Sequence, residues 1–263
     1  MPRRIRVLRV FTREGAGGNH LGVVTDVTGL DAEAMQLIGA DLGFSETIFI
    51  DSSRGEVPHT RIFTPAMEMP FAGHPLVGAA WAILQGAERA TDRLRSGIGE
   101  VQIRLDGEVA WIGAPIFPSN AHDDDESFAR RVGLVDPVST HRVDMPLDYR
   151  MVRLPSPADV AAATPDTDAF GLAHGLTVFA RDGDRVRMRF FIPKAGIDED
   201  PATGSAAVAL ATMWVASGEP SGAAVIHQGE EMGHPSRINL RWSGATASIG
   251  GTVIEDDVVE LNR

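Results

Sequence analysis

Residues 198–205 read Asp-Glu-Asp-Pro-Ala-Thr-Gly-Ser and place three carboxyl groups directly before a proline, a threonine and a glycine. Proline and threonine suit a helix start, and the apolar run that follows predicts a buried helix over about residues 203–217. The first N–H groups of a helix have no partner within it, so the small residues here leave them free to face an anion. The pattern therefore predicts titratable carboxyl groups beside an anion-binding helix end.

A second stretch, residues 65–75, has the same design, with Glu68, a proline and the pair Gly73-His74 before an apolar helix over about residues 74–85. The positive end of a helix disfavours the imidazolium, so His74 is expected to be neutral. A capping or core role is the commoner fate of a single histidine. For either helix alone an ordinary core helix is the simpler explanation, but the pair predicts two similar domains whose helix starts face a shared cleft.

Glu46 stands at the mouth of an apolar strand that includes residues 48–50. Burial would raise its pKa toward neutrality and fit it for proton transfer, but the sequence alone favours a solvated carboxylate at a loop edge. Asn19 follows the glycine-rich residues 15–18 and could stabilise a turn or contact a ligand. Turn chemistry is the simpler explanation there, because neither phosphate-binding glycine spacing is met.

Composition excludes several classes of protein. The net charge of -12 and the pI near 5.1 argue against a nucleic-acid or anionic membrane surface. The chain has no cysteine, which excludes disulfides, thiolate nucleophiles and Cys-ligated zinc and fits a cytoplasmic protein. The apolar helices are shorter than a membrane span, and residues 3–11 alternate basic with apolar side chains as a first strand, not a signal peptide.

Strand patterns surround few helices, which predicts an α+β fold. Residues 113–126 hold two prolines and an acidic run that is expected to be a solvent-facing linker. The predicted domains are therefore residues 1–116 and 117–263, each with one central helix, and the last strand is allowed to return to the first domain.

These residues together resemble the PhzF-like family of phenazine biosynthesis, within the diaminopimelate-epimerase fold. The matching pieces are Val10-Phe11 with Gly18-Asn19, Gly43-Phe44-Ser45-Glu46-Thr47, Arg61-Ile62-Phe63-Thr64-Pro65, Glu68, Phe71-Ala72-Gly73-His74-Pro75 with Gly78, Glu199-Asp200-Pro201-Ala202-Thr203-Gly204-Ser205-Ala206, and Gln228-Gly229 with Met232-Gly233 and Pro235-Ser236. They span nearly the whole chain in the family's order. The resemblance implies two pseudo-symmetric domains, each a barrel-like, mostly antiparallel sheet around a central helix, with the active site between them.

The resemblance also implies roles for individual residues. Glu46 matches the family's acid/base glutamate, and His74 and Asp200 match residues that position the substrate and assist proton transfer. The residues implied in substrate binding are Asn19, Gly73, Thr203, Gly204 and Ser205, with a substrate carboxylate at Ser205 and the helix-start N–H groups. The resemblance implies a homodimer and implies neither a metal nor an organic cofactor.

The prediction is a cofactor-independent isomerase that moves a proton and a double bond in a small unsaturated carboxylic or amino acid, in a secondary-metabolite biosynthetic pathway. Such a reaction needs one carboxyl group that acts as base and then as acid, together with a fixed grip on the substrate carboxylate. The alternatives are a non-thiol epimerase or dehydratase of a small acid, and a non-catalytic protein that binds one. Two-thiol racemisation is excluded by the absence of cysteine. His20, His74 and His234 show no ligand-pair spacing, so no metal site is predicted.

Overall fold

The computed structural model describes residues 3–53, 55–85, 91–118 and 126–261, which form sixteen strands and five α-helices. The strands are β1 Arg3–Thr12, β2 Asn19–Val24, β3 Glu46–Asp51, β4 His59–Phe63, β5 Glu68–Met69, β6 Arg93–Ser96, β7 Gly99–Asp106, β8 Val109–Pro115, β9 Ser139–Asp144, β10 Asp148–Arg153, β11 Gly175–Asp182, β12 Arg185–Ile192, β13 Ile197–Asp200, β14 Ser221–Gln228, β15 Ser236–Ser243 and β16 Thr246–Leu261. The helices are α1 Ala32–Leu42, α2 Gly73–Gln85, α3 Glu126–Arg131, α4 Pro157–Ala162 and α5 Gly204–Ala216. The predicted α+β class is confirmed.

The first barrel is closed by the last strand of the chain. Its strands run in the order β1-β2-β3-β4-β6-β7-β8-β16, and β16 pairs with β1 to complete the ring. Helix α2 packs inside against β1, β2, β3, β7, β8 and β16. Its residues from Gly73 to Ala80 are all buried, because the helix is apolar on every side and only a barrel interior covers every side.

The remaining part of the same sheet, named here the second sheet, curls around α5. It continues from β16 through β15, β14, β12, β11 and β10 to β9, and β13 pairs with β12. Residues Gly204 to Trp214 of α5 are buried, and the helix packs against β9, β10, β15 and β16. One continuous apolar core includes both helices, and each fully buried leucine or valine in it contributes roughly 1.5–3 kcal/mol.

The two central helices meet at glycines near their starts. A Cβ atom on Gly73 would lie 2.5 Å from the Cα atom of Gly204, and one on Gly204 would lie 2.8 Å from the Cα atom of Gly73. Only residues without a side chain permit backbones this close. The contact brings the start of α2 and the start of α5 to one point between the barrel and the second sheet.

The two predicted central helices begin and end within about two residues of α2 and α5, the usual uncertainty of helix ends. Helix α1 begins after Asp31, whose carboxylate accepts a hydrogen bond from the Ala34 N–H at 2.9 Å, and ends at Gly43 with φ 65°. The division into two domains stays a prediction, and half of the predicted linker, residues 119–125, lies outside the described residues. Within the described ranges, no helix is long and apolar enough to cross a membrane.

Candidate active site

The structure brings all eight sequence-predicted site residues together where α2 meets α5. Asn19 and Glu46 are the first residues of neighbouring strands β2 and β3. Asp200 ends β13, directly before the start of α5. The other five lie at the helix starts: Gly73 and His74 on α2, and Thr203, Gly204 and Ser205 on α5.

Glu46 is buried, which contradicts the expectation of a solvated carboxylate. Only 8% of the residue is exposed, because β3 carries it inward from the strand mouth. Burial, together with the negative charge of Asp200, raises the pKa of Glu46 to about 8. Its Oε2 atom lies 3.4 Å from Nδ1 of His74 and has no hydrogen-bond partner among the described residues.

His74 is a neutral imidazole in this site. Burial lowers the pKa of His74 to about 3, so its contact with Glu46 is not an ion pair. Nδ1 of His74 also lies 3.3 Å from the Asn19 side-chain amide nitrogen, which can only donate. Nδ1 is therefore the acceptor, and the ring proton belongs on Nε2. The prediction of a neutral histidine at the helix start agrees with this environment.

Asp200 is held by three neighbouring polar side chains. Asn19 donates from Nδ2 to Oδ1 at 2.7 Å, and the Thr203 hydroxyl donates to Oδ2. Burial raises the pKa of Asp200 to about 6, while these two hydrogen bonds limit the rise. Gln228 donates from Nε2 to the backbone carbonyl of Asp200 at 2.6 Å and accepts from the Thr203 N–H at 2.9 Å. Gln228 therefore fixes the turn that leads from β13 into α5.

Asn19 bridges the two halves of the site, and the preference for simple turn chemistry at this residue is wrong. The residue is 2% exposed. Its carbonyl oxygen accepts from the Ser45 hydroxyl at 2.8 Å, which orients the amide so that its nitrogen faces Asp200 and His74. The sequence could not show this contact because 181 residues separate Asn19 from Asp200.

The two carboxyl groups line a narrow cavity. Its lining residues are Glu46, Thr64, Met69, Ala72, Tyr149, Phe190, Ile192, Ala195, Ile197, Asp200, Thr203 and Ser205. The space left for a water-sized sphere is about 10 Å³, which is room for roughly one water molecule. A larger molecule can reach the carboxyl groups only if the surrounding elements move apart.

Tyr149 is a site residue that sequence reasoning missed. Its hydroxyl lies 3.1 Å from the Ser205 hydroxyl, and burial raises its pKa, so the phenol keeps its proton. Tyr149 belongs to no motif, although it is the only tyrosine in the chain. That rarity was the one signal available.

The remaining histidines near the site lie at its rim. The His20 ring stacks on Phe44 at 5.7 Å between centroids and meets the His234 ring edge-on at 5.7 Å. Burial, followed by the nearby His234, lowers the pKa of His20. Across the described part of the chain, no three histidine, aspartate or glutamate side chains are grouped to hold a metal ion.

The arrangement suits proton transfer to and from a bound anion. A buried carboxyl group with a pKa near neutrality can both give up and take a proton at physiological pH. The starts of α2 and α5 add backbone N–H groups that have no partner within their helices, together with the positive ends of two helix dipoles. The site therefore combines one acid/base group with one place for a negative charge.

Comparison with known proteins identifies the family of the chain. The family described as phenazine biosynthesis-like protein (PhzC-PhzF) matches residues 8–252. A trans-2,3-dihydro-3-hydroxyanthranilate isomerase from Pseudomonas aeruginosa is 36% identical over 92% of this chain and 91% of its own.

Two solved structures show the same fold. A PhzF-family protein from Enterococcus faecalis superposes with a TM-score of 0.84 over 100% of both chains at 22% identity. A hydroxyproline epimerase from Agrobacterium vitis superposes with a TM-score of 0.66 over 99% of this chain and 92% of its own, at 11% identity. The fold is therefore the one shared by PhzF-family proteins and this class of epimerase, and the chain belongs to the phenazine biosynthesis-like (PhzC-PhzF) family, in which its relatives from three Pseudomonas species are named as isomerases.

Proposed function

We propose that this protein is a cofactor-independent isomerase that moves a proton and a double bond in a small unsaturated carboxylic or amino acid, with Glu46 as general acid/base. The observation that carries the proposal is the buried Glu46 carboxyl, whose pKa is raised to about 8, in a cavity beside two helix starts. The 36% identical relative from Pseudomonas aeruginosa is named for isomerising trans-2,3-dihydro-3-hydroxyanthranilate. That compound is the first candidate substrate, and a secondary-metabolite pathway is the proposed setting.

The proposed reaction balances without an electron acceptor. Glu46 removes a proton from a saturated carbon, the electron pair shifts along the conjugated system, and Glu46 returns the proton to another carbon on the same face. Nothing is oxidised or reduced, so one carboxyl group suffices. A positioned group of this kind typically contributes about 10²- to 10⁴-fold to the rate.

His74 and Asp200 support Glu46 in this scheme. The neutral His74 ring packs against the Glu46 carboxyl, with Nδ1 3.4 Å from Oε2, so no cationic partner lowers the pKa of Glu46 there. The charge of Asp200 helps keep the pKa of Glu46 high. Between their two pKa values the pair holds one proton, and Glu46 acts as the base in the fraction of molecules in which that proton lies on Asp200.

Substrate binding is assigned to the helix ends. We place the substrate carboxylate at the first turn of α5, over the N–H groups of Gly204 and Ser205, with Thr203 and Asn19 fixing Asp200 beside it. Gly73 and Gly204 bring the start of α2 to the same point, so both helix dipoles favour the anion. Because the cavity holds about one water molecule, substrate entry requires separation of these elements.

The experiment is proton NMR of the wild-type protein in D2O with a panel of small unsaturated amino and hydroxy acids that includes trans-2,3-dihydro-3-hydroxyanthranilate. The proposal predicts double-bond migration in at least one compound, with the moved proton retained or partly exchanged for deuterium. Inversion of a stereocentre identifies an epimerase instead, and loss of water identifies a dehydratase. Binding without any change in the spectrum of the ligand supports the non-catalytic binding protein.

A homodimer and a cytoplasmic location are further proposals for this chain, as is the division at residues 116 and 117. Light scattering coupled to size-exclusion chromatography tests the first, because a dimer has twice the 28.1 kDa mass of the chain. Limited proteolysis followed by mass spectrometry tests the last, since an exposed linker is cut first.

A further inference from the structure

Tyr149 is held rigidly beside the proposed substrate site. It lies on β10, is 2% exposed, and packs its ring against Phe190 at 5.0 Å between centroids. Gly175 pairs with Tyr149 on the neighbouring strand β11, and a Cβ atom on Gly175 would lie 2.6 Å from the Phe190 ring and 3.1 Å from the Tyr149 ring. The glycine leaves room for both rings, so the phenol is locked with its hydroxyl at the cavity.

The hydroxyl groups of Tyr149 and Ser205 form a hydrogen-bonded pair in which one hydroxyl proton is not used in the bond between them. They lie 3.1 Å apart, and each carries one O–H donor. One of the two protons bridges the oxygens, so the other remains available to a ligand. Because burial raises the pKa of Tyr149, the phenol is neutral throughout the physiological range and retains its donor.

The cavity offers an anion no cationic side chain. The described residues that line it include two carboxyl groups and no lysine or arginine. A substrate carboxylate must therefore be held by neutral donors, namely backbone N–H groups and hydroxyls. This makes the direction of each hydroxyl donor important, because a hydroxyl that turned its lone pairs toward the anion would repel it.

We propose that Tyr149 is a positioning and specificity residue: its hydroxyl donates to the Ser205 oxygen and thereby directs the Ser205 proton toward the substrate carboxylate. A phenol is the stronger donor of the two, because its oxygen lone pairs are delocalised into the ring. Hydrogen bonds in such a chain polarise one another, which strengthens the final bond to the anion. The pair selects a carboxylate over a neutral group of the same shape, and this inference rests on the proposed function for the place of the substrate.

The test measures binding, independently of turnover, with anthranilate and its neutral counterpart anthranilamide as probes in calorimetry at neutral pH. The variants are Tyr149→Phe, which keeps the ring, Ser205→Ala, and the double variant. Loss of a hydrogen bond to a charged group predicts about 10-fold weaker anthranilate binding for each single variant. Anthranilamide binding is expected to change less than about twofold. Because the two hydroxyls act in series, the double variant is expected to match the worse single variant and not the product of both.

Several outcomes would overturn the inference. These are unchanged anthranilate binding in Tyr149→Phe, equal losses for both probes, multiplicative effects in the double variant, or no anthranilate binding by the wild type. If Tyr149→Phe fails to fold, Ser205→Ala still tests the same bond from the other side. With an identified substrate, Tyr149→Phe is expected to raise KM with kcat within about threefold, because the contact is present in the ground state as well as the transition state. Anthranilate discrimination without any turnover would support this inference while contradicting the proposed isomerase.

Discussion

Replacing Glu46 by glutamine is expected to stabilise the protein increasingly as the pH rises. Burial raises the pKa of Glu46 from 4.5 to about 8, so the folded protein keeps a proton that the unfolded chain releases. The wild type therefore loses stability as the pH rises from the pKa of Glu46 in the unfolded chain toward its pKa in the folded protein. The Glu46→Gln variant has no group that titrates at this position, so it does not lose stability in this way. The difference in unfolding free energy grows by about 1.4 kcal/mol per pH unit, or about 3 kcal/mol between pH 5 and pH 7.

The assay is thermal and urea unfolding of both proteins at pH 5, 6, 7 and 8, which cover the pKa of about 8 for Glu46. About 3 kcal/mol corresponds to a gain of about 6–12 °C in Tm for a chain of this size. Burial lowers the pKa of His74 to about 3, so His74 makes the protein more stable as the pH rises toward the pKa of histidine in the unfolded chain. This contribution is present in both proteins and cancels in their difference. Glu100→Gln is the matched control, because Arg95 lowers the pKa of Glu100 and both states are ionised over this range. If the difference in unfolding free energy between wild type and Glu46→Gln does not change with pH, Glu46 is not a buried, protonated carboxyl group.

Three further predictions concern the helix contact and the carboxyl pair. Gly73→Ala places a Cβ atom 2.5 Å from the Gly204 backbone and is expected to cost about 1–3 kcal/mol in denaturant unfolding. Gly39→Ala in α1 is the matched control, because a Cβ atom there would lie at an ordinary distance of 3.4 Å from its nearest neighbour, and it should be neutral or stabilise by up to about 1 kcal/mol. Equal effects of the two substitutions would contradict the close contact between Gly73 and Gly204. The pH profile of kcat/KM should be bell-shaped, with macroscopic limbs near 6 and 8 set by the cavity carboxyls; a flat profile from pH 5 to 9 would rule out a singly protonated pair. Asn19→Leu removes a hydrogen bond that lowers the pKa of Asp200, so the acidic limb should move to higher pH; an unmoved limb would remove Asn19 from this role.

The fold was largely predictable because its information is local or repeated. Two all-apolar helices and alternating strands appear directly in the sequence and fix the α+β class. The Gly73–Gly204 contact was predictable only as a consequence of the repeat, since nothing local states that two helix starts touch. The pairing of β16 with both β1 and β8 depends on contacts between residues far apart in the chain, which no local pattern contains.

The sequence predicted which residues form the site, but it did not predict how deeply they are buried or which side chains they contact. Glu46 and Asn19 both looked like loop-edge residues, because burial is set by elements that close over them and not by their neighbours in sequence. Asp200 and His74 were found because each belongs to a recognisable motif at the start of a helix. Tyr149 and Gln228 were not assigned roles, because both act through hydrogen bonds to residues far away in the sequence. Tyr149 contacts Ser205, and Gln228 contacts Asp200 and Thr203 in the turn before α5.

The most direct test of the central claim is the rate of proton transfer in trans-2,3-dihydro-3-hydroxyanthranilate, followed by NMR with wild type, Glu46→Gln and the surface control Glu100→Gln. Glutamine keeps the shape of Glu46 but can neither take nor return a proton, so the rate is expected to fall by about 10²- to 10⁴-fold. The control should match the wild type, because Glu100 lies in an exposed ion pair with Arg95. Isomerisation by Glu46→Gln within about tenfold of the wild type would contradict the account and move the acid/base role to Asp200 or His74.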